Sequence, residues 1–288
     1  MSASEPVPVL IFQNRFLLGG QERQTVLHLG SLDRARWAPV VRCLRLEGEH
    51  LDDLARLGVR PEALGVRKLA RPATALRVWR LAGELRARGV RLVHAQDFYT
   101  NLVGFAAASL ARLPCIVTRV DLAHALDAGQ RAVLAAVSRA AARVVVNAAC
   151  IREACLRDGV EERRVVVVRN GLDLDAFDAE ARRPLAAPWP AGEVGAGPVV
   201  MQVANMHHPV KGQDVLLRAW YEVSRAHPDA RLVLVGDGAR RPELERQARE
   251  LDVAASVVFA GHRRDTPALL ARADLVVSSS RAEGISNA

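Results

Sequence analysis

Short apolar runs alternate with stretches of helical spacing along the whole 288-residue chain. Strands that alternate with helices of ten to fifteen residues are joined by crossovers, and crossovers build a parallel sheet wound on both faces. The runs Val7 to Phe12, Val40 to Leu46, Arg91 to Ala95, Cys115 to Thr118, Arg143 to Asn147 and Val165 to Arg169 form a first series. Helices are expected between them at Gln21 to Arg36, with Val26, Leu29 and Leu32 on one face, at Ala73 to Arg88, and at Asn101 to Leu113. Composition then shifts to Pro, Ala and Gly over 182–198, which reads as a linker. A second series follows, with strands at Val199 to Ala204, Arg231 to Val235 and Val257 to Ala260 and helices at Gln213 to Ala226, Pro242 to Leu251 and Pro267 to Arg272. It ends in Leu275 to Val277, read as a buried strand closed by Ser278, Ser279 and Ser280. The expected organisation is α/β with two doubly wound Rossmann-like domains, 1–181 and 199–288, about the linker.

Half of the residues are hydrophobic and a quarter are charged, so a sizeable core can form and a disordered chain is excluded. No apolar run approaches the roughly 20 residues that span a bilayer, and Met1 to Pro8 lack the features of a secretion signal, so a cytoplasmic protein is expected. Cys43, Cys115, Cys150 and Cys155 are scattered, with no Cys-x-x-Cys pair, and signal neither a zinc site nor a disulfide framework. No metal is expected. The net charge of +8 is concentrated between Arg56 and Arg91, where ten basic residues face two acids. On the helix from Ala73 to Arg88, Arg77, Arg80, Glu84 and Arg88 share one face opposite Leu76 and Trp79. Such a block suits the anionic inner face of a cell membrane, or it is a solvated helix face. Trp79 is the only aromatic in it, which disfavours nucleic acid.

The polar residues with chemical potential lie after strands. Gly19 and Gly20 stand between a strand and a helix, where exposed N–H groups receive a phosphate, or they make a tight turn. The loop lacks Gly-x-Gly-x-x-Gly, so a nicotinamide or flavin site is poorly supported and no cofactor is expected. His94 and Asp97 end one strand, and Arg119 and Asp121 follow another. Taken singly these are a structural histidine and a surface ion pair; on the rim they share with the first glycine loop of a parallel sheet, His94 and Asp121 are candidate substrate-binding residues and Arg119 a candidate catalytic residue. Lys211 precedes the first helix of the second series, and this chain has only two lysines among its forty basic residues. An ammonium there is a reasonable diphosphate ligand. Glu283 beside Gly284 places a carboxylate beyond the last strand, as a ligand for a small molecule or as a helix cap.

These residues occur in an ordered set that resembles the retaining glycosyltransferases of family 4 (glycosyl transferases group 1). The set comprises Gly19-Gly20-Gln21-Glu22, Val93-His94-Ala95, Asn170-Gly171-Leu172-Asp173 with Phe177, Lys211-Gly212-Gln213-Asp214, Val235-Gly236-Asp237-Gly238, Phe259-Ala260-Gly261 with Asp265, and Ala273-Asp274 leading to Ser280 and Glu283-Gly284. The resemblance implies the GT-B fold, with a UDP- or GDP-sugar in a cleft between two domains and a glycan or lipid-linked acceptor on the first. It implies that Lys211 meets the diphosphate, that Gly19 and Gly20 approach it, and that Glu283 with the Gly284 and Ile285 amides holds the transferred sugar. Gly261, His262 and Arg263 would lie near the base. The nucleotide sugar is a co-substrate, and the leaving phosphate itself takes the acceptor proton.

Three departures from the family pattern stand out. Arg119 occupies the place of a frequent histidine and cannot act as a base. His207 and His208 stand where an arginine usually accompanies the lysine. The family's second acid, eight positions after Glu283, lies beyond Ala288, so the second domain is expected to be incomplete and the chain truncated. A hexosyltransferase that needs no metal is therefore the leading expectation, with a non-catalytic sugar-nucleotide-binding or assembly module as the alternative.

Overall fold

The structure, a computed structural model, describes residues 5–123, 126–186 and 197–288. Residues 187–196 of the expected linker lie outside the described residues. The chain forms two compact units, one reaching to Gly171 and including Gly284–Asn287, the other Leu172–Glu283 with Ala288. Both are α/β.

The first unit contains β1 (Val7–Gln13), α1 (Gly20–Ser31), β2 (Trp37–Cys43), α2 (Leu51–Arg56), β3 (Glu62–Ala63), α3 (Pro72–Ala87), β4 (Leu92–Ala95), α4 (Phe98–Ala111), β5 (Cys115–Arg119), α5 (Ala128–Ala140), β6 (Arg143–Val146), α6 (Ala149–Arg157) and β7 (Val165–Val167). Its seven strands lie in the order β3-β2-β1-β4-β5-β6-β7, and every pairing is parallel. Successive side chains of a strand point to opposite faces. Leu10 and Phe12 accordingly enter one core with Val93, Val117 and Val144, while Ile11 enters a second with Leu29, Val41 and Leu54. A sheet buried on both faces explains why its strands read as continuous apolar runs.

Several boundaries differ from the sequence reading for local reasons. Helix α1 stops at Ser31, because Leu32 is extended and a turn on Asp33 delivers the chain to β2 at Trp37. Helix α4 starts at Phe98, three residues before Asn101, because Asp97 caps it by accepting the Tyr99 and Thr100 N–H groups. Helix α3 corrects the expected orientation. It buries Val78, Leu81, Ala82 and Leu85, whose spacing makes the apolar stripe, whereas Leu76 and Trp79 are 48% and 63% exposed. The expected basic face is also partly consumed within the unit. Arg77 donates to the Leu64 carbonyl, and Arg88 forms a two-pronged pair with Glu62 at 2.9 and 3.0 Å.

The second unit contains α7 (Leu174–Ala181), β8 (Val199–Val203), α8 (Gln213–Ala226), β9 (Arg231–Val235), α9 (Arg241–Glu250), β10 (Val257–Gly261), α10 (Thr266–Leu270) and β11 (Leu275–Val276). Helix α7 packs on α10 and is grouped with the second unit. The four strands are parallel in the order β10-β9-β8-β11. Leu232 and Leu234 face one core with Trp220 and Leu244, and Val233 and Val235 face the other with Met201 and Leu269. The expectation of a buried last strand is not met. Leu275 and Val276 are 56% and 47% exposed, and among the described residues β11 is an edge strand that pairs with β8 alone.

One polar clamp joins helix to sheet. Asn101 of α4 is 1% exposed; its amide donates to the Thr118 carbonyl at 2.9 Å and accepts the Thr118 N–H at 3.3 Å. An Asn101→Ala substitution strands two buried backbone groups, at about 1–3 kcal/mol each. Chemical denaturation of the variant is expected to show a loss of about 2–6 kcal/mol, and an unchanged midpoint would refute the clamp.

Candidate functional site

In a parallel sheet the crevice beyond the strand carboxyl ends opens where the chain order reverses. The first sheet reverses between β1 and β4, and the second between β8 and β11. The residues singled out from sequence fall largely on the loops at these two points.

In the second unit the loop after β8 passes His207 and His208, turns through Pro209–Lys211 and enters α8 at Gly212. Gly212 has a φ of +68°, and a Cβ there would fall 2.0 Å from the Ser279 carbonyl oxygen. Only glycine allows this approach between the α8 loop and the loop after β11. Ser279 Oγ donates into the Lys211 and Gly212 carbonyls at 3.2 and 3.0 Å, and Gln202 bonds both the Lys211 carbonyl and Ser279 Oγ at 3.0 Å. On this support Lys211 Nζ lies 2.5 Å from Glu283 Oε1, which also accepts Ser280 Oγ at 2.7 Å. Both side chains are about a quarter exposed. The result is a cation and a carboxylate, partly open to solvent, beside the N-terminus of a fourteen-residue helix.

The remaining second-unit candidates do not join them. His207 and His208 are exposed on the approach to the turn. Arg263 is held by Asp265 at 2.8 and 2.7 Å in a pair 8% and 11% exposed, and Asp265 also accepts the Ala186 N–H at 2.7 Å. Its guanidinium therefore has a structural commitment. Gly261 accepts the Gly236 N–H at 2.8 Å, and His262 is exposed beside Asp237.

In the first unit Gly19 is the N-cap residue of α1 and Gly20 its first residue. A Cβ on Gly19 would fall 2.2 Å from Glu22 Oε2, and one on Gly20 would fall 2.1 Å from Asn287 Nδ2. Gly284 packs on Ile151, Asn147 and Val120, and Ile285 is 37% exposed. The Asn170 amide donates to Asn287 Oδ1 at 2.7 Å. Gly284 and Ile285 are thus placed with the first unit, while Glu283 is placed with the second.

Arg119 and Asp121 line a cavity of about 90 Å³ with Gln21, Gln96, Asp97 and Thr118. Arg119 is buried and donates to Asp158 Oδ2 at 2.7 Å, leaving its Nε without a partner among the described residues, as is Gln96 Nε2. Asp121 accepts the Ala123 N–H at 2.7 Å. His94 stands apart from the cavity lining, with Nε2 3.0 Å from Thr118 Oγ1 and its ring edge-on to His28 at 6.0 Å. Burial, with His28 adding to it, lowers its pKa to about 4, so it remains a neutral imidazole.

Sequence reasoning assigned no role to Gln202, Asp214, Ser279, Arg281, Asn287 or Asp158. The signal for Gln202 was a lone amide inside an apolar strand, and for Arg281 an arginine two residues before Glu283. The others are polar loop or helix residues whose partners lie far away in sequence.

Glu22 also carries a large titration shift. Burial raises its pKa from 4.5 to about 7; Asp97 adds to the rise, while its own N–H and Arg15 oppose it. The folded chain thus holds this proton more tightly than the unfolded chain. Its contribution to stability is complete below about pH 4.5 and is lost as pH rises to about 7. Thermal melts of Glu22→Gln and wild type should coincide near pH 4.5, with the variant the more stable by pH 8. A constant difference across that range would refute the assignment.

Comparison with known proteins places this geometry in a family. Residues 18–176 match Glycosyltransferase Family 4, and residues 197–288 match Glycosyl transferases group 1. The GDP-mannose-dependent alpha-(1-6)-phosphatidylinositol monomannoside mannosyltransferase of Mycolicibacterium smegmatis is 36% identical over 118 residues, covering 40% of this chain and 30% of that protein. The glycogen synthase of Mycobacterium tuberculosis is 29% identical over 210 residues, covering 67% and 47%. The chain therefore spans less than half the length of these relatives. Anabaena HepE, solved in complex with UDP-glucose, superposes with a TM-score of 0.77 at 22% identity over 95% of this chain and 74% of that one. That likeness bears out the expected GT-B fold class, with its seven-stranded and four-stranded parallel sheets. From its paired α/β units and the family match across more than half its length, the chain belongs to glycosyltransferase family 4.

Proposed function

We propose that the protein transfers a hexose from a UDP- or GDP-sugar to a glycan or lipid-linked acceptor, with retention of anomeric configuration. The observation that carries this reading is the Lys211–Glu283 pair at the reversal point of the second sheet, beside the N-terminus of α8. Departure of a nucleoside diphosphate concentrates negative charge on its outer phosphate. An ammonium and the N–H groups of a helix terminus stabilise that charge in place. Glu283 is suited to accept hydrogen bonds from hexose hydroxyls, and its partner Ser280 holds the carboxylate in orientation.

In the proposed step the anomeric C–O bond to phosphate breaks as the acceptor oxygen bonds the same carbon face, and the acceptor proton passes to the leaving phosphate oxygen. Neither side chain then needs to act as a base. The first unit supplies the acceptor side, with Arg119, Asp121 and the Gln96 amide around the small cavity as hydrogen-bonding groups. Arg119 serves there as a donor only.

A screen of labelled UDP- and GDP-hexoses with the full-length protein tests the reading. Lys211→Ala and Glu283→Gln are each expected to lower kcat by about 100- to 1,000-fold, the loss typical of removing a transition-state charge partner. Transfer is expected to continue in excess EDTA. Nucleotide binding without turnover in the wild type would favour a binding module instead, and EDTA-sensitive transfer would refute the metal-independent route.

Among the described residues no helix is long and apolar enough to cross a membrane. We propose a peripheral contact with an anionic membrane surface on α3, where exposed Leu76 and Trp79 adjoin exposed Arg80 and Arg86. A Trp79→Ser, Arg80→Gln double variant is expected to lose sedimentation with anionic vesicles. Arg77→Gln should retain it, because that guanidinium is turned to the Leu64 carbonyl.

A further inference from the structure

We infer that Arg281 is a positioning residue of the nucleotide-sugar site: it neutralises Asp214 at the mouth of α8 and fastens the loop that carries Glu283. The inference rests on the functional reading above and assigns a role within that same site.

Asp214 is the second residue of α8. The first turn of a helix attracts anions through its unpaired N–H groups and its dipole. A carboxylate there occupies the field that a diphosphate needs and repels it. The guanidinium of Arg281 covers both oxygens of this carboxylate, at 2.9 and 2.6 Å. Arg218, from the next turn, lies 3.5 Å from one of them and is the more exposed of the two arginines. The Arg281 fork holds the Asp214 carboxyl below its usual range, so it remains an ionised partner at neutral pH.

The same arginine is a mechanical fastening. Its guanidinium also donates to the Pro209 carbonyl, and its backbone N–H donates to the Val210 carbonyl at 2.8 Å. These contacts reach the turn that ends in Lys211 from a residue two positions before Glu283, the partner of Lys211. Ser279 holds the other side of the loop through the Lys211 and Gly212 carbonyls. One planar fork thus reads a carboxylate and a carbonyl together, which a lysine, as a point charge, cannot reproduce.

The two roles separate experimentally. UDP and GDP are titrated into the full-length protein, with uridine and guanosine as uncharged controls, and kcat is measured with the donor sugar. Arg281→Gln is expected to weaken nucleoside diphosphate binding by about tenfold, through an uncovered carboxylate beside the phosphates, and to leave the nucleosides unchanged. The double variant Asp214→Asn, Arg281→Gln should recover most of that affinity while kcat stays low, since charge is balanced but the loop is unfastened. Arg281→Lys should bind the diphosphates well and also keep a low kcat. Diphosphate affinity unchanged in Arg281→Gln, or no recovery in the double variant, overturns the charge role; a wild-type kcat in Arg281→Lys overturns the fastening role. A wild type that binds neither nucleoside diphosphate would overturn the functional reading itself.

Discussion

Parallel strand pairing is the constraint on which the other features of this chain depend. A parallel neighbour can be reached only by returning the chain over a face of the sheet, so each strand is followed by a crossover. The crossovers cover both faces, and the cores of both units are split accordingly, with Ile11 on one side and Leu10 and Phe12 on the other. The same geometry collects every strand's carboxyl-end loop on one rim. Where the order reverses, between β1 and β4 and between β8 and β11, two loops diverge and leave a crevice. Lys211, Glu283 and Gly19 lie on loops of these reversal points, and Gly20 opens the helix that follows one of them. The fold brings them there whatever chemistry they perform.

Electrostatics at the two rims follow one logic with different outcomes. Each reversal point presents a helix N-terminus, and each has an acid in the first helical turn, Glu22 in α1 and Asp214 in α8. Asp214 is covered by a two-pronged arginine and stays ionised. Glu22 has no such fork among the described residues, and burial raises its pKa to about 7. The N-terminus of α8 thus presents a charge-balanced surface, with Asp214 paired to Arg281 and Lys211 paired to Glu283. Arg119, placed in the sequence as the substitute for a histidine, is balanced in a similar way by Asp158 and is a buried donor. It shapes a cavity wall and moves no proton.

The alternation of strands and helices was legible because burial on both faces leaves continuous apolar runs, and the carboxyl-end residues were legible because turns need glycine and polar side chains. The helix Gln213–Ala226 and the strand Arg231–Val235 have the expected bounds, since Gly212 and Pro228 punctuate them locally. Helix α3 was misoriented, because Leu76 and Trp79 look like core residues until Val78, Leu81 and Leu85 are seen to fill the available face. Strand β11 was misread as buried, because an edge strand and a central strand share the same local composition.

Local pattern, set by the alternation of apolar burial and by glycine and proline at turns, determined from the sequence alone that this is a parallel α/β chain, and its ordered motifs pointed to family 4. Tertiary structure alone decided which side chains meet. Arg281 and Asp214 are 67 residues apart, and Lys211 and Glu283 are 72 apart. Pairs at such separations leave no periodic trace, because each partner alone is an ordinary surface charge. Only strand order, which puts β11 beside β8, brings those charges together.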